Sequence, residues 1–186
     1  MFDFITKKYR QRQLRKLMEQ PRDKRIENWE NIKTIGLVFT VGDSNQWNLI
    51  HRFITAQESR GKTVHLIGFL RSNVTVDYIF SHPGTIICHE KTDLTKLGLP
   101  KDGVVDAFME RHYDLVIDST EHPDFFGKYI SAMANADLKV GYKNTEQDCL
   151  DDDIAMYDLS IQGNGPMDFK DYIEQIVKYL TMVKKD

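Results

Sequence analysis

The sequence predicts an α/β fold: a Rossmann-like three-layer sandwich around a mainly parallel six-stranded sheet of order 3-2-1-4-5-6, preceded by a basic N-terminal helix. Three observations lead there. First, the runs around Ile35-Gly36-Leu37-Val38-Phe39 and Leu115-Val116-Ile117 are almost continuously apolar, as strands covered on both faces are. Second, residues 113–142, YDLVIDSTEHPDFFGKYISAMANADLKVGY, read as strand, polar crest, helix and strand. That is a βαβ unit, whose crossover is right-handed. Third, Phe169, Tyr172, Ile173, Ile176, Leu180 and Val183 make the cleanest helical stripe in the chain.

Taken in order, residues 1–30 form a basic helical extension and linker, and residues 31–186 a single Rossmann-like domain. Lys7, Lys8, Arg10, Arg12, Arg15, Lys16, Arg22, Lys24 and Arg25 crowd the extension, and Pro21 ends its helix. Phe2, Ile5 and Tyr9 share one face; Leu14, Leu17 and Met18 share another, slightly rotated. Strand one follows at 33–40. Val41-Gly42-Asp43-Ser44-Asn45 turns into a helix that Asp43 or Ser44 can cap by accepting a first-turn N–H. Trp47, Ile50 and Ile54 make that helix's stripe, and Gly61 sits where a left-handed C-terminal cap belongs. Strand two is 64–70. Residues 73–81 are ambiguous between a short helix and an irregular crossover, 85–89 are strand three, and 91–103 read as loop.

Val104, Val105, Phe108 and His112 mark a helix leading into strand four. In the central unit Pro123 suits a first helical turn, and Phe126, Tyr129, Ile130 and Met133 recur at i, i+3, i+4 and i+7. Residues 144–153 are polar and acidic. Ala155, Tyr157, Leu159 and Ile161 alternate with polar or softer residues, so the last strand is expected near an edge. Residues 162–166 form a turn cluster, and Asp168 caps the last helix.

The bulk properties bound the function. A length of 186 residues suits one sizeable domain, and 41% hydrophobic residues support a real core. A net charge of −3 argues against a generic nucleic-acid binder. Cys88 and Cys149 follow no metal spacing, and a reducing cytoplasm is the expected location. No apolar run is long enough to cross a bilayer, and the N-terminus lacks the apolar stretch of a secretory signal.

Two resemblances add to this. YDLVID at 113–118, ISAMANA at 130–136 and LKVGY at 138–142 resemble the N-terminal half of heptosyltransferase-like enzymes, two-domain glycosyltransferases of the GT-B type. TDLTKLGLP, HYDLVIDST, ADLKVGY and DYIEQIVKYL resemble an uncharacterised bacterial family with a domain-of-unknown-function label. The second resemblance implies a GT-B-like or Rossmann-like half domain in a cytoplasmic bacterial protein, and it supplies no activity and no catalytic residue to carry over. In the two-domain enzymes the second domain mainly holds the sugar-nucleotide donor. A chain without it is not expected to transfer sugars alone, unless another chain or a homodimer completes it.

The leading functional expectation is an accessory, non-catalytic domain that binds a small polar or phosphorylated ligand, a protein partner, or both. The candidate crevice joins Gly42, Asp43, Ser44 and Asn45 after strand one to Asp118, Ser119 and Thr120 after strand four. Hydroxyls, an amide and a helix N-terminus can hold a phosphate or a sugar hydroxyl; the same residues also serve simply as caps and turns. Neither GxGxxG nor GxxxxGK[ST] occurs, which disfavours dinucleotide and Walker-type binding. No cofactor and no metal are expected.

Weaker candidates follow. Asp43 and Asp118 could share a proton or a divalent ion across the crevice; capping by Asp43 and solvation of Asp118 is the simpler reading. His89-Glu90 and Glu121-His122 are metal-type pairs that the proposed strand order keeps apart. Cys88 reads as a buried small hydrophobe, and Asp151 to Asp153 as a solvated loop. Lys7, Lys8, Arg12, Arg15 and Lys16 could contact an anionic surface, lipid or RNA; a solvated helix resting on the domain is the alternative.

Overall fold

The computed structural model describes residues 2–76, 78, 82–120, 125–144, 156–163 and 167–184. Its six strands are β1 (Thr34–Thr40), β2 (Thr63–Leu70), β3 (Ile86–His89), β4 (His112–Asp118), β5 (Asn135–Asn144) and β6 (Leu159–Gly163). All pair in parallel, in the order β3-β2-β1-β4-β5-β6. This is the doubly wound order read from the sequence, with β1 beside β4 at the switch point. The register pairs Val38 with Asp118 and Asp118 with Gly141, so the ends of β1, β4 and β5 align.

Helices cover both faces. α2 (Ser44–Glu58) and α6 (Phe169–Thr181) pack on one face, where Leu37, Phe39, Leu115, Ile117, Leu138 and Val140 meet Trp47, Ile50, Tyr172 and Ile176. On the other, α5 (Phe125–Met133) brings Phe126 and Ile130 against Val38, Phe69 and Val116. α1 (Phe2–Met18) lies outside α5, burying Leu14 and placing Arg10 4.9 Å from the Phe125 ring centroid. Among the described residues no helix is long and apolar enough to cross a membrane.

The linker after α1 is strapped to the sheet by polar groups. Arg22 Nη1 donates to the carbonyls of Ala136 and Asp137, at 2.7 and 3.2 Å. Asn28 Nδ2 donates to the carbonyls of Thr181, the last residue of α6 (Phe169–Thr181), and of Val183 beyond it. The Lys62 ammonium donates at 2.6 Å to both Trp29 O and Ile32 O, and the Trp29 ring is buried in the core that α2 and α6 cover.

The local signals mostly hold. Asp43 and Asp168 cap α2 and α6, each accepting a first-turn N–H at 2.8 Å. Gly61 has φ +76°, the left-handed conformation its position requires. Three expectations are corrected. The helix expected over 104–112 is one turn, α4 (Asp106–Met109), and His112 instead opens β4. The expected loop at 91–103 contains one helical turn, α3 (Glu90–Asp93), closed by Asp93 accepting the His89 N–H. β6 begins at Leu159 rather than at Ala155, which lies outside the described residues. Pro123, the acidic stretch at 145–153 and the turn residues 164–166 also lie outside them.

Gly141 marks a close approach. A Cβ there would run into the Tyr157 ring, whose hydroxyl donates to Asp118 Oδ2 at 2.6 Å. Gly141→Ala is expected to cost about 1–3 kcal/mol by overpacking. Gly103→Ala, at φ +84° with open space around it, should cost about 1 kcal/mol through backbone strain alone. Urea unfolding of both variants checks this; equal losses would show that the Tyr157 contact is not tight.

Candidate ligand-binding site

The adjacency of β1 and β4 brings both polar turns to the carboxyl ends of neighbouring strands, where Gly42, Asp43, Asp118, Ser119 and Thr120 have structural partners. Asp43 caps α2 as described. The Gln46 side chain lies across Gly42, whose carbonyl accepts from Tyr78 OH at 3.2 Å. Ser44 and Asn45 are exposed. Ser119 donates through both its N–H and its Oγ to Val38 O, at 2.8 and 2.9 Å, extending the β1–β4 ladder by one residue.

Asp118 is not on an open crest: it is 2% exposed. Its Oδ1 accepts from Thr120 N at 3.0 Å and Thr120 Oγ1 at 2.7 Å, and its Oδ2 from Tyr157 OH. Its carbonyl accepts from Tyr172 OH at 2.9 Å. The expected solvation of Asp118 is therefore corrected; these donors replace water around a carboxylate set beneath α5. The crevice itself narrows to a cavity of about 30 Å³ between Gln46, Ser119, Thr120, Tyr142, Met167 and Tyr172. That is room for roughly one water molecule. The Asp43 carboxylate also occupies the α2 N-terminus, where an incoming anion would otherwise be held.

A larger pocket, about 290 Å³, lies between the end of α1, the linker, the end of α5 and the entrance to β6. Pro21 stops α1 there, and Ala132 and Ala134 keep the end of α5 small. The polar wall is Arg22, Lys24, Lys139 and Asp158. Alternation along β5 sends Leu138 and Val140 into the core under α2 and α6, and Lys139 toward α5. There the Lys139 ammonium donates to Ala132 O at 2.8 Å, where the dipole of α5 favours a cation.

Asp158 is the hub. Arg22 Nη2 donates to both of its oxygens at 2.6 Å, Lys24 Nζ lies 3.1 Å from Oδ1, and Lys139 N donates to Oδ2 at 2.9 Å. Burial raises the Asp158 pKa, but the hydrogen bonds from Arg22, the Lys139 backbone and Lys24 outweigh it and hold the carboxyl below its usual range. Burial, and then the Arg22 guanidinium, push the Lys139 ammonium from 10.5 down to about 8. Among the described residues, the Arg22 and Lys24 side chains thus share the Asp158 carboxylate, and the Lys139 ammonium lies beside them in a concave site of ligand size.

The sequence places Arg22 and Lys24 in the basic N-terminal stretch but gives no sign that they join Lys139 and Asp158 in one pocket. The available signal is Lys139, a charged side chain between Leu138 and Val140 in the strand read at 138–142. Its neighbours Arg22 and Asp158 are remote in the chain, and no spacing connects them.

Other candidates resolve differently. His112, Asp114 and Asp137 bring donor atoms within 4.8 Å of one another at the opening of β4 and β5. His112 Nε2 pairs with Asp137 at 3.0 Å, and Asp114 Oδ2 accepts the backbone N–H groups of Lys33 and Thr34 at 2.6 and 2.8 Å. Glu90 accepts the Ser72 N–H, which lowers its pKa, while Glu121 and His122 lie outside the described residues. Cys88 is buried and its thiol is pushed up to about 12, chiefly by desolvation; Cys149 and Asp151 to Asp153 lie outside the described residues. Lys7, Lys8, Arg12, Arg15 and Lys16 are all exposed on α1, beside exposed Phe4 and Ile5.

The model of a family of unknown function (DUF6913) matches residues 6–183, and the chain belongs to that family. No curated protein and no solved structure is significantly similar to it. These findings lend no support to a bacterial origin or to the resemblance to heptosyltransferase-like enzymes.

The lowered Lys139 pKa has a sign that can be checked. Between about 8 and 10.5 the unfolded chain holds a proton that the folded chain has lost, so folding gains stability as pH rises through that window. Below it, burying the charge costs about 2–3 kcal/mol. Lys139→Met removes that cost and loses a hydrogen bond worth about 1 kcal/mol. The variant is expected to be about 1–2 kcal/mol more stable at pH 7, with the advantage vanishing toward pH 10. Urea unfolding across pH measures it; a pH-independent difference would mean that Lys139 keeps its ordinary pKa.

Proposed function

We propose that this DUF6913 member is a ligand-binding α/β domain, and that its ligand is a small anion, phosphorylated or carboxylated, held between α1, the linker, α5 and β5. The observation that carries this reading is that Arg22, Lys24 and Lys139 line one pocket of about 290 Å³ together with Asp158, which the side chains of the first two engage. One carboxylate leaves the cluster with surplus positive charge, partly desolvated, where a charge-assisted hydrogen bond is about twice as strong as a neutral one. The rim between β1 and β4, where Ser119 and Thr120 border the smaller cavity, accommodates only a water-sized group.

The test is a thermal melt with inorganic phosphate, pyrophosphate, sugar phosphates, nucleotides and citrate. At about 100 times its Kd a ligand stabilises the fold by about 2.7 kcal/mol, a rise of about 5 °C or more in Tm for a chain of this size. Lys24→Ala and Lys139→Met should each weaken the response about tenfold in concentration. A panel that leaves the wild-type Tm unmoved, or a full response in Lys139→Met, overturns this reading.

A second reading concerns α1, where Phe4 is 62% and Ile5 58% exposed beside Lys7 and Lys8. Apolar side chains flanked by lysines favour an anionic lipid surface. Phe4→Ala with Lys7→Glu and Lys8→Glu is expected to abolish retention on phosphatidylserine vesicles at low salt. Equal retention of this variant and the wild type removes the idea.

A further inference from the structure

Lys139 has an environment that anion binding alone does not require. The residue is 5% exposed, yet it lines the pocket. The obvious counter-ion, Asp158, has its oxygens engaged by Arg22, Lys24 and the Lys139 backbone N–H. The lysine Nζ donates instead to a backbone carbonyl, Ala132 O, at 2.8 Å. A neutral amine can make that bond with one N–H and keep its lone pair, whereas a carboxylate partner would hold the charged form. Burial and an adjacent guanidinium are the two conditions that turn a lysine into a nucleophile.

We propose that the Lys139 amine captures a small oxo acid, an aldehyde or ketone carrying a carboxylate or phosphate, as an imine in this pocket. This rests on the anion-binding reading of the same site. Arg22 and Lys24 hold the acid group, and the Lys139 nitrogen attacks the carbonyl carbon. The new C–N bond gives a carbinolamine. The carbinolamine loses the former carbonyl oxygen and two hydrogens, both originally on the amine, as water, leaving C=N. No oxidant or reductant takes part, and hydrolysis reverses the step. The drop of the Lys139 ammonium to about 8 leaves a useful fraction of free amine near neutral pH.

The test uses the full chain with glyoxylate or pyruvate, then borohydride, which reduces an imine to a stable secondary amine. Intact mass and peptide mapping locate the adduct. The expected result is one saturable adduct per chain, on Lys139, formed about tenfold less readily with the acid-free carbonyl acetaldehyde. Lys139→Arg, which keeps the charge, should lose the adduct while melting cooperatively. If that variant does not fold, the position mapped in the wild type decides. Labelling spread over exposed lysines such as Lys7, Lys8 and Lys24, with Lys139 unmodified, overturns the imine. Should the anion panel raise the Tm while Lys139 stays unmodified, the imine falls and the anion site stands. An adduct on Lys139 with no preference for acids and no Tm response overturns the oxo-acid assignment and the anion site together.

Discussion

The carboxylate of Asp158, whose side chain is 8% exposed, ties together three separate stretches of this chain. It joins the linker through Arg22 and Lys24, the backbone of β5 through Lys139 N, and the entrance to β6. Taking such charges out of water costs several kcal/mol each, and only close, well-directed hydrogen bonds offset that. The Arg22 contact is bidentate, and the other end of the same guanidinium reaches the carbonyls of Ala136 and Asp137. The path of the linker is therefore set, and with it the place of α1 over α5. The pocket is a by-product of that closure: it is the volume left where a helix end, a strap and a strand edge meet around one ion cluster.

Doubly wound sheets usually place ligands beyond the carboxyl ends of their strands, at the switch point. Here that rim is packed by Gln46, Tyr78, Tyr142 and Tyr172, and the Asp43 carboxylate faces the N-terminus of α2. The roomier site lies beside the opening half of β5. There Lys139 makes a hydrogen bond to the end of α5 and not to its beginning, so the helix dipole holds a cation in place. The polarity is thus reversed with respect to the usual phosphate site: the protein supplies fixed positive side chains, where a glycine-rich turn would supply backbone N–H groups.

The sheet order was legible because it follows from local pattern and the handedness of crossovers. Nearly continuous apolar strands, caps at Asp43 and Asp168, and the stripe from Tyr172 to Leu180 are each visible in a short window. The state of Asp118 was not, because its burial is decided by Tyr157 and Tyr172, neither of them near it in the chain. The pocket was illegible for the same reason, since its wall draws on the first helix, the linker, β5 and the approach to β6. Lys139 was the one local hint: a charge that an all-buried strand tolerates only with compensation. The short α4 shows the opposite failure, an apolar pattern at 104–112 that tertiary pairing of His112 and Tyr113 into β4 overrode.

The strap has a consequence for the order in which the molecule can assemble. Asn28 and Trp29 are hydrogen-bonded to the carbonyls of Leu180, Thr181 and Val183, so this part of the linker, at Asn28, waits for a segment 153 to 155 residues further along the chain. Contacts of such separation carry the largest loop-closure entropy and form late. Until then the linker is held to the sheet through Arg22 and its neighbours, by Ala136, Asp137 and Asp158. The chemistry proposed for the Lys139 amine thus depends on a strap that closes around it, and not on β5 alone.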